Sequence, residues 1–197
     1  MKRVVLFIDG NNFYFGLKRL YGDSKELSLF NFKKFGEIIA GDNDLLRVFY
    51  YNASLDYSDN QEKYWKQQRF FEKLKNTEKV KVILCRLQKR KIKGANKFYY
   101  VIKGDDIHLA VDMVKGAYEN AFDTAILVSG DGDFVRAVEV VQEKGKSVEN
   151  AYFNHLFSWH LKQECSKSIK LTTNILDKCF DNPKTAKKGI SKNQPKQ

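Results

Sequence analysis

Proline is nearly absent from this chain: Pro183 and Pro195 are the only two, and both lie near the C-terminal end. The rest therefore has few fixed breaks and can be dense in regular secondary structure. Cysteine is as sparse. Cys85, Cys165 and Cys179 are odd in number and form no C-x-x-C pair, which argues against a disulfide scaffold and a zinc ribbon. Histidine offers no helical zinc pair, since His155 and His160 are five apart and His108 stands alone; all three are expected to be ordinary surface or core residues. No apolar run approaches the ~18 residues of a spanning helix. The opening run, Val4 to Ile8, stops at Asp9 and is too short for a signal peptide, so a cytoplasmic protein without a membrane partner is expected. Several catalytic motifs are missing too. There is no G-x-x-x-x-G-K-[ST] loop. Ser129 is not in G-x-S-x-G, which disfavours acyl transfer. Gly130-Asp131-Gly132-Asp133 lacks the spaced acids of an EF-hand.

What the chain has in excess is positive charge. Lys and Arg number 35 against 24 Asp and Glu, a net of +11. Such a surplus suits polyanionic partners, chiefly nucleic acid. It also has an address: residues 63–103 carry fourteen basic residues against Glu72 and Glu78, a net of +12, so the remainder sums to about −1. General solubility does not explain a surplus gathered in one segment.

Hydrophobic patterning supplies the architecture. Val4–Ile8 and Thr124–Val128 are continuous apolar runs of the kind found in buried parallel strands. Leu45–Tyr51, Val80–Leu84 and Lys146–Tyr152 are further strands. Helices are expected over Asn12–Tyr21, Asn31–Ala40, Asp59–Lys75 and Phe134–Lys144. Another is marked by Ile107, Ala110, Val111, Val114, Ala117 and Tyr118 at helical spacing, with Asp105 or Asp106 as its cap. From Arg86 to about Ile102 the pattern is a basic hairpin with Lys93-Gly94-Ala95-Asn96 as its turn. Alternating strands and helices imply an α/β fold with a central, mainly parallel sheet flanked by helices in three layers. One domain over residues 1–180 is expected, followed by a disordered basic tail over 181–197, where apolar residues nearly vanish.

Two strands end alike: Ile8 gives way to Asp9-Gly10-Asn11-Asn12, and Val128 to Ser129-Gly130-Asp131-Gly132-Asp133. Ligand sites of open α/β sheets lie at the carboxyl ends of the strands, where these aspartates would converge. Hard divalent cations take carboxylate oxygens, and ions so held can assist phosphodiester cleavage. A single such Asp is more often a turn or cap residue. Two strand-end motifs together with Asp105-Asp106 make that reading less sufficient.

Three segments resemble the NYN domain family, the LabA-like branch of the PIN-like nuclease superfamily. Phe7-Ile8-Asp9-Gly10-Asn11-Asn12-Phe13-Tyr14 is similar to its I-D-G-x-N opening. Lys103-Gly104-Asp105-Asp106-Ile107-His108-Leu109-Ala110-Val111-Asp112-Met113 is similar to its K-G-x-D-x-x-L-A-V-D segment. Ile126 to Phe134 is similar to its L-V-S-G-D-G-D-F segment. The likeness runs in order from about Lys2 to Leu171. It implies a PIN-like (Rossmann-like) fold and a ribonuclease dependent on Mg²⁺ or Mn²⁺, with Asp9, Asp106, Asp131 and Asp133 as metal-holding, catalytic residues. Asn12, Ser129 and Asp112 are implied as supporting residues. Asp112 lies six positions beyond Asp106, about 240° around a helix, which turns it from the centre. Asp105 falls on a variable position and is left outside the site. The basic hairpin matches no family motif; its Arg86, Lys89, Arg90, Lys91, Lys93 and Lys97 are expected to bind nucleic acid. The same residues also fit a non-catalytic nucleic-acid-binding module and, less well, a phosphatase or nucleotide hydrolase.

Overall fold

A computed structural model describes residues 1–91 and 98–181, with backbone only for Lys89, Lys91 and 98–103. In chain order the elements are β1 (Arg3–Asp9), α1 (Gly10–Tyr21), α2 (Phe32–Ala40), β2 (Asp44–Ala53), α3 (Gln61–Lys75), β3 (Val80–Lys91) and β4 (Phe98–Lys103). There follow α4 (Asp105–Tyr118), β5 (Thr124–Val128), α5 (Val135–Glu143), β6 (Ser147–Tyr152), α6 (Trp159–Glu164), β7 (Lys167–Lys170) and α7 (Thr173–Leu176). The sheet order is β4-β3-β2-β1-β5-β6-β7, parallel throughout except for β4, which runs antiparallel to β3. The fold is the expected α/β three-layer arrangement.

The layers follow from strand alternation. In β1, Val4, Leu6 and Ile8 face one core, while Val5 and Phe7 face the other. The first core is closed by α1, α2 and α3 through Phe13, Leu17, Phe35, Ile39, Phe71 and Leu74. The second is closed by α4, α5 and α6 through Leu109, Met113, Ala117, Val138, Val141 and Leu161. With both faces covered, β1 and β5 can be apolar at successive positions, which is why they appear in the sequence as unbroken runs.

β1 pairs with β2 on one side and β5 on the other. Growth of the sheet reverses there, so the carboxyl ends of β1 and β5 bound the topological switch point.

The structure amends several expectations. β3 does not stop at Leu84. Val80–Cys85 pair with β2, and the same strand continues as Arg86–Lys91 against β4, so the hairpin extends the sheet beyond its carboxyl edge. The expected turn at Lys93–Asn96 lies outside the described residues. Neither Asp105 nor Asp106 caps α4. Gly104 does, at φ 86°, and the two aspartates form the first turn. Phe134 belongs to a 3₁₀ turn (Gly132–Phe134) that precedes α5. Asp181, placed in the tail by composition, is held: its backbone N–H donates to the Leu29 carbonyl (2.9 Å), and its carboxylate meets Asn31 (2.9 Å) and Lys73 (3.2 Å). The remaining tail lies outside the described residues. Among the described residues no helix is long and apolar enough to cross a membrane.

Candidate metal and nucleic-acid site

The register sets Ile8 beside Val128, so the residues after each, Asp9 and Ser129, are neighbours. Ser129 Oγ donates to Asp9 Oδ2 at 3.0 Å. The other carboxylate oxygen, Asp9 Oδ1, accepts the Asn12 backbone N–H at 3.0 Å and so caps α1. Asn12 in turn accepts the Gly130 N–H at 3.2 Å, and Ser129 Oγ accepts the Asp131 N–H at 3.1 Å. Asp131 accepts the Asp133 N–H at 3.0 Å. Asp9, Asn12, Ser129, Gly130, Asp131 and Asp133 therefore form one hydrogen-bonded network across two strand ends.

The turn after β5 cannot move freely. A Cβ at Gly130 would lie 1.4 Å from the Leu156 carbonyl oxygen, so only glycine fits that approach. Buried Asn150 on β6 donates to the carbonyls of Leu127 (3.1 Å) and Ser129 (2.8 Å), fixing the end of β5. Sequence reasoning missed Asn150. Its signal was a polar residue amid the apolar positions of a short strand.

α4 packs over β1, β2 and β3 with its first turn at the carboxyl end of the sheet. Asp105 and Asp106 thereby join the group electrostatically. The Asp9 carboxyl is pushed above its ordinary value by burial, and further by Asp105 and Asp131, against the lowering effect of its hydrogen bonds from Asn12 and Ser129. Asp106 is raised to about 6 by loss of hydration and then by Asp105, Asp9, Asp131 and Asp133. Among the described residues, the charged groups that raise it are other aspartates. Capping accounts for one oxygen of Asp9 and one of Asp131, but not for this gathering of like charge. Asp105, left outside the site by sequence, is the foremost charged neighbour of Asp9. Asp112 sits apart: it accepts the Tyr51 hydroxyl at 2.9 Å, as its angular offset from Asp106 suggested.

The donor set suits a hard divalent cation, being all oxygen and anionic, with no Lys or Arg ion-paired to it among the described residues. No three carboxylates, histidines or cysteines among the described residues stand close enough to enclose an ion themselves. The arrangement thus fits an ion held by one or two carboxylates, with water and substrate phosphate completing its shell, as Mg²⁺ commonly is.

The basic strand pair leaves the same sheet end. Arg86 and Arg90 on β3 are both exposed, and Arg90 reaches Gln88 at 3.4 Å. Lys89 and Lys91 lie on β3, while Lys93 and Lys97 fall outside the described residues.

An open three-layer α/β domain with an acidic centre where the strand order reverses is thus defined by fold and site together. The NYN domain model matches residues 3–173, and the chain belongs to the NYN domain family, within the PIN-like nuclease superfamily. A crystal structure of a Vibrio parahaemolyticus protein of unknown function shares the fold: TM-score 0.65, 20% identity, 91% of this chain and 96% of that one. A Plasmodium falciparum nicotinic acid mononucleotide adenylyltransferase aligns at 9% identity over 99% of this chain and 87% of that one, and its TM-score of 0.35 carries no argument. No curated relative matches the chain.

Proposed function

We propose that this protein is a divalent-cation-dependent nuclease acting on RNA, with the LabA-like branch as its place in the family. The observation that carries the reading is the set of aspartates around Asp9, which no Lys or Arg among the described residues ion-pairs, at the strand ends where α/β domains bind ligands. One or two of Asp9, Asp106, Asp131 and Asp133 would hold the ion directly and the others would act on it through its waters, while Asp105 stands near enough to add to the field. A bound Mg²⁺ or Mn²⁺ would supply a more acidic water and stabilise charge on the departing oxygen of a phosphodiester.

The chain's own residues prepare that chemistry. Asn12 and Ser129 fix the Asp9 carboxylate at both oxygens, and the Asp133 N–H fixes that of Asp131. Held in this way, the groups need little rearrangement when substrate arrives. Burial first, and then the neighbouring aspartates, disfavour the ionised forms of Asp9 and Asp106; a bound dication would offset both effects and favour ionisation. Arg86, Lys89, Arg90, Lys91, Lys93 and Lys97 would neutralise phosphates flanking the scissile bond.

The test incubates pure protein with labelled RNA in Mn²⁺ or in EDTA. Cleavage in Mn²⁺ alone supports the reading. Binding without cleavage would make the chain a non-catalytic binding module, and phosphate release from mononucleotides would make it a phosphatase.

A further inference from the structure

The carboxyl edge carries a second feature that the acidic centre does not use. β2 ends at Ala53, one strand from β1 and so about 5 Å away across the sheet. The loop that follows leads into α3, and three rings meet there. Tyr57 and Tyr64 lie edge to face at 5.4 Å, Tyr64 and Trp65 at 5.3 Å, and Tyr57 and Trp65 at 6.2 Å. Tyr57 remains 47% exposed and Trp65 52%, far from the near-complete burial of the core aromatics.

The loop is tied down despite its exposure. Gln67 donates to the Ala53 carbonyl (3.1 Å) and accepts the Leu55 N–H (2.8 Å). Gln68 reaches Ser54 at 3.4 Å, and Asn60 caps α3 through the Lys63 N–H at 2.8 Å. Rings held open in this way lose little freedom when something lies on them. The same helix, α3, carries Lys63, Lys66 and Arg69, all exposed and without an ion pair among the described residues. Arg69 follows Trp65 by four positions and so shares its helix face.

We propose that Tyr57 and Trp65 form a stacking platform for unpaired bases, with Lys66 and Arg69 holding the adjoining phosphates, a place of contact that the acidic centre and the hairpin do not supply. The inference rests on the nucleic-acid reading above and adds a second binding surface to it. Bases in a duplex are already stacked on one another and present only their edges, whereas each unpaired base offers a face to a ring. Open aromatic rings interleaved with unpaired cations suit that partner, and the charge of the 63–103 segment suits no acid-poor surface.

The experiment uses the full chain in EDTA, so that binding is observed without turnover. The chain has two tryptophans, and Trp159→Phe leaves Trp65 as the sole indole emitter. Short single-stranded RNA is titrated in, and separately the same sequence as a duplex. The single strand is expected to quench Trp65 emission, and the duplex not to. Trp65→Ala is expected to weaken single-strand affinity by about 5- to 150-fold at every salt concentration without changing the salt slope. Trp65→Phe should retain part of it, and the joint change of Lys66 and Arg69 to Ser should flatten the slope. Unchanged single-strand affinity in folded Trp65→Ala, or equal quenching of Trp65 by single strand and duplex, would overturn the platform while leaving the nuclease reading intact. Failure of the wild type to bind either RNA would overturn both.

Discussion

The two ends of strands β1 and β5 treat charge in opposite ways. At the amino end, Arg3 surrounds Asp123: its backbone N–H donates to Oδ2 at 2.8 Å, its Nη2 to Oδ1 at 2.8 Å, and Lys146 stands 3.9 Å from the same carboxylate. Asp123 is held well below the usual carboxylate range by the Arg3 hydrogen bonds. At the carboxyl end, Asp9 and Asp106 are pushed upward, by burial and by neighbouring aspartates, and no Lys or Arg among the described residues ion-pairs them. A protein that stabilised its fold alone would answer both groups with cations. One end is thus built as scaffold, while the other gathers negative charge that no ion pair answers among the described residues and that the proposed cation would answer.

The largest effect expected from breaking this contrast is on chemistry. Asp9→Asn and Asp131→Asn should each lower Mn²⁺-dependent RNA cleavage by about 100-fold or more, the scale on which a preorganised charged group commonly acts. Their melting temperatures should be unchanged or slightly higher, since each removes a repelling charge. A variant that cleaves at the wild-type rate takes its residue out of the centre.

Next in size is the hairpin. Replacing Lys89, Arg90, Lys91 and Lys93 with Ser together should weaken RNA binding and lower the salt slope by roughly 3, at about 0.7 per phosphate contact on a single strand. Cleavage by a saturated enzyme should persist, which separates docking from chemistry. An unchanged slope would reduce the hairpin's cations to a solvated face.

Gly130→Ala attacks the geometry instead of the charge. The new methyl has no room beside the Leu156 carbonyl, so the turn must shift, at a cost of roughly 1–3 kcal/mol in denaturant unfolding. Activity should fall with it, because Ser129 and Asp131 lie on either side. Full activity would mean that the turn's position is unimportant.

The smallest effects are in the pH dependence of stability, and they have opposite signs at the two ends. Asp106 titrates at about 6 when folded and near 4 when unfolded, so the folded chain holds more protons between those values. Stability from this group falls as pH rises through that window, and Asp106→Asn should remove the decline. Asp123 is depressed when folded, so its contribution is present above the ordinary aspartate value and is lost as pH falls through the folded one. Arg3→Gln should flatten that acid limb and leave cleavage untouched. Thermal melts across pH measure both.

How much of this was legible in the sequence depended on length and on partners. β1 and β5 were plain because both faces are buried, and Asp9 and Asp131 were plain because each follows such a run. α6, β7 and α7 passed unnoticed because pieces of four to six residues with mixed polarity show too little of any period. The expected cap of α4 fell on an aspartate, but Gly104 at positive φ makes the turn, leaving Asp105 in the first helical turn, where its charge acts on Asp9 and Asp106. Asn150 serves a neighbouring strand's carbonyls, a partnership invisible along the chain. The aromatic trio was visible only as ring-rich composition until the β2–α3 loop brought Tyr57 to Trp65.

The central claim is that the carboxyl end holds a cation which the amino end has no need of, and calorimetric titration of Mn²⁺ into wild type, Asp9→Asn and Arg3→Gln tests it directly. Near pH 6 the wild type should bind Mn²⁺ and release protons to the buffer, with the release fading at higher pH as Asp106 ionises unaided. Arg3→Gln should behave like the wild type, and Asp9→Asn should lose most of the binding. Equal Mn²⁺ binding by all three proteins, or none by the wild type with and without RNA, would contradict the account.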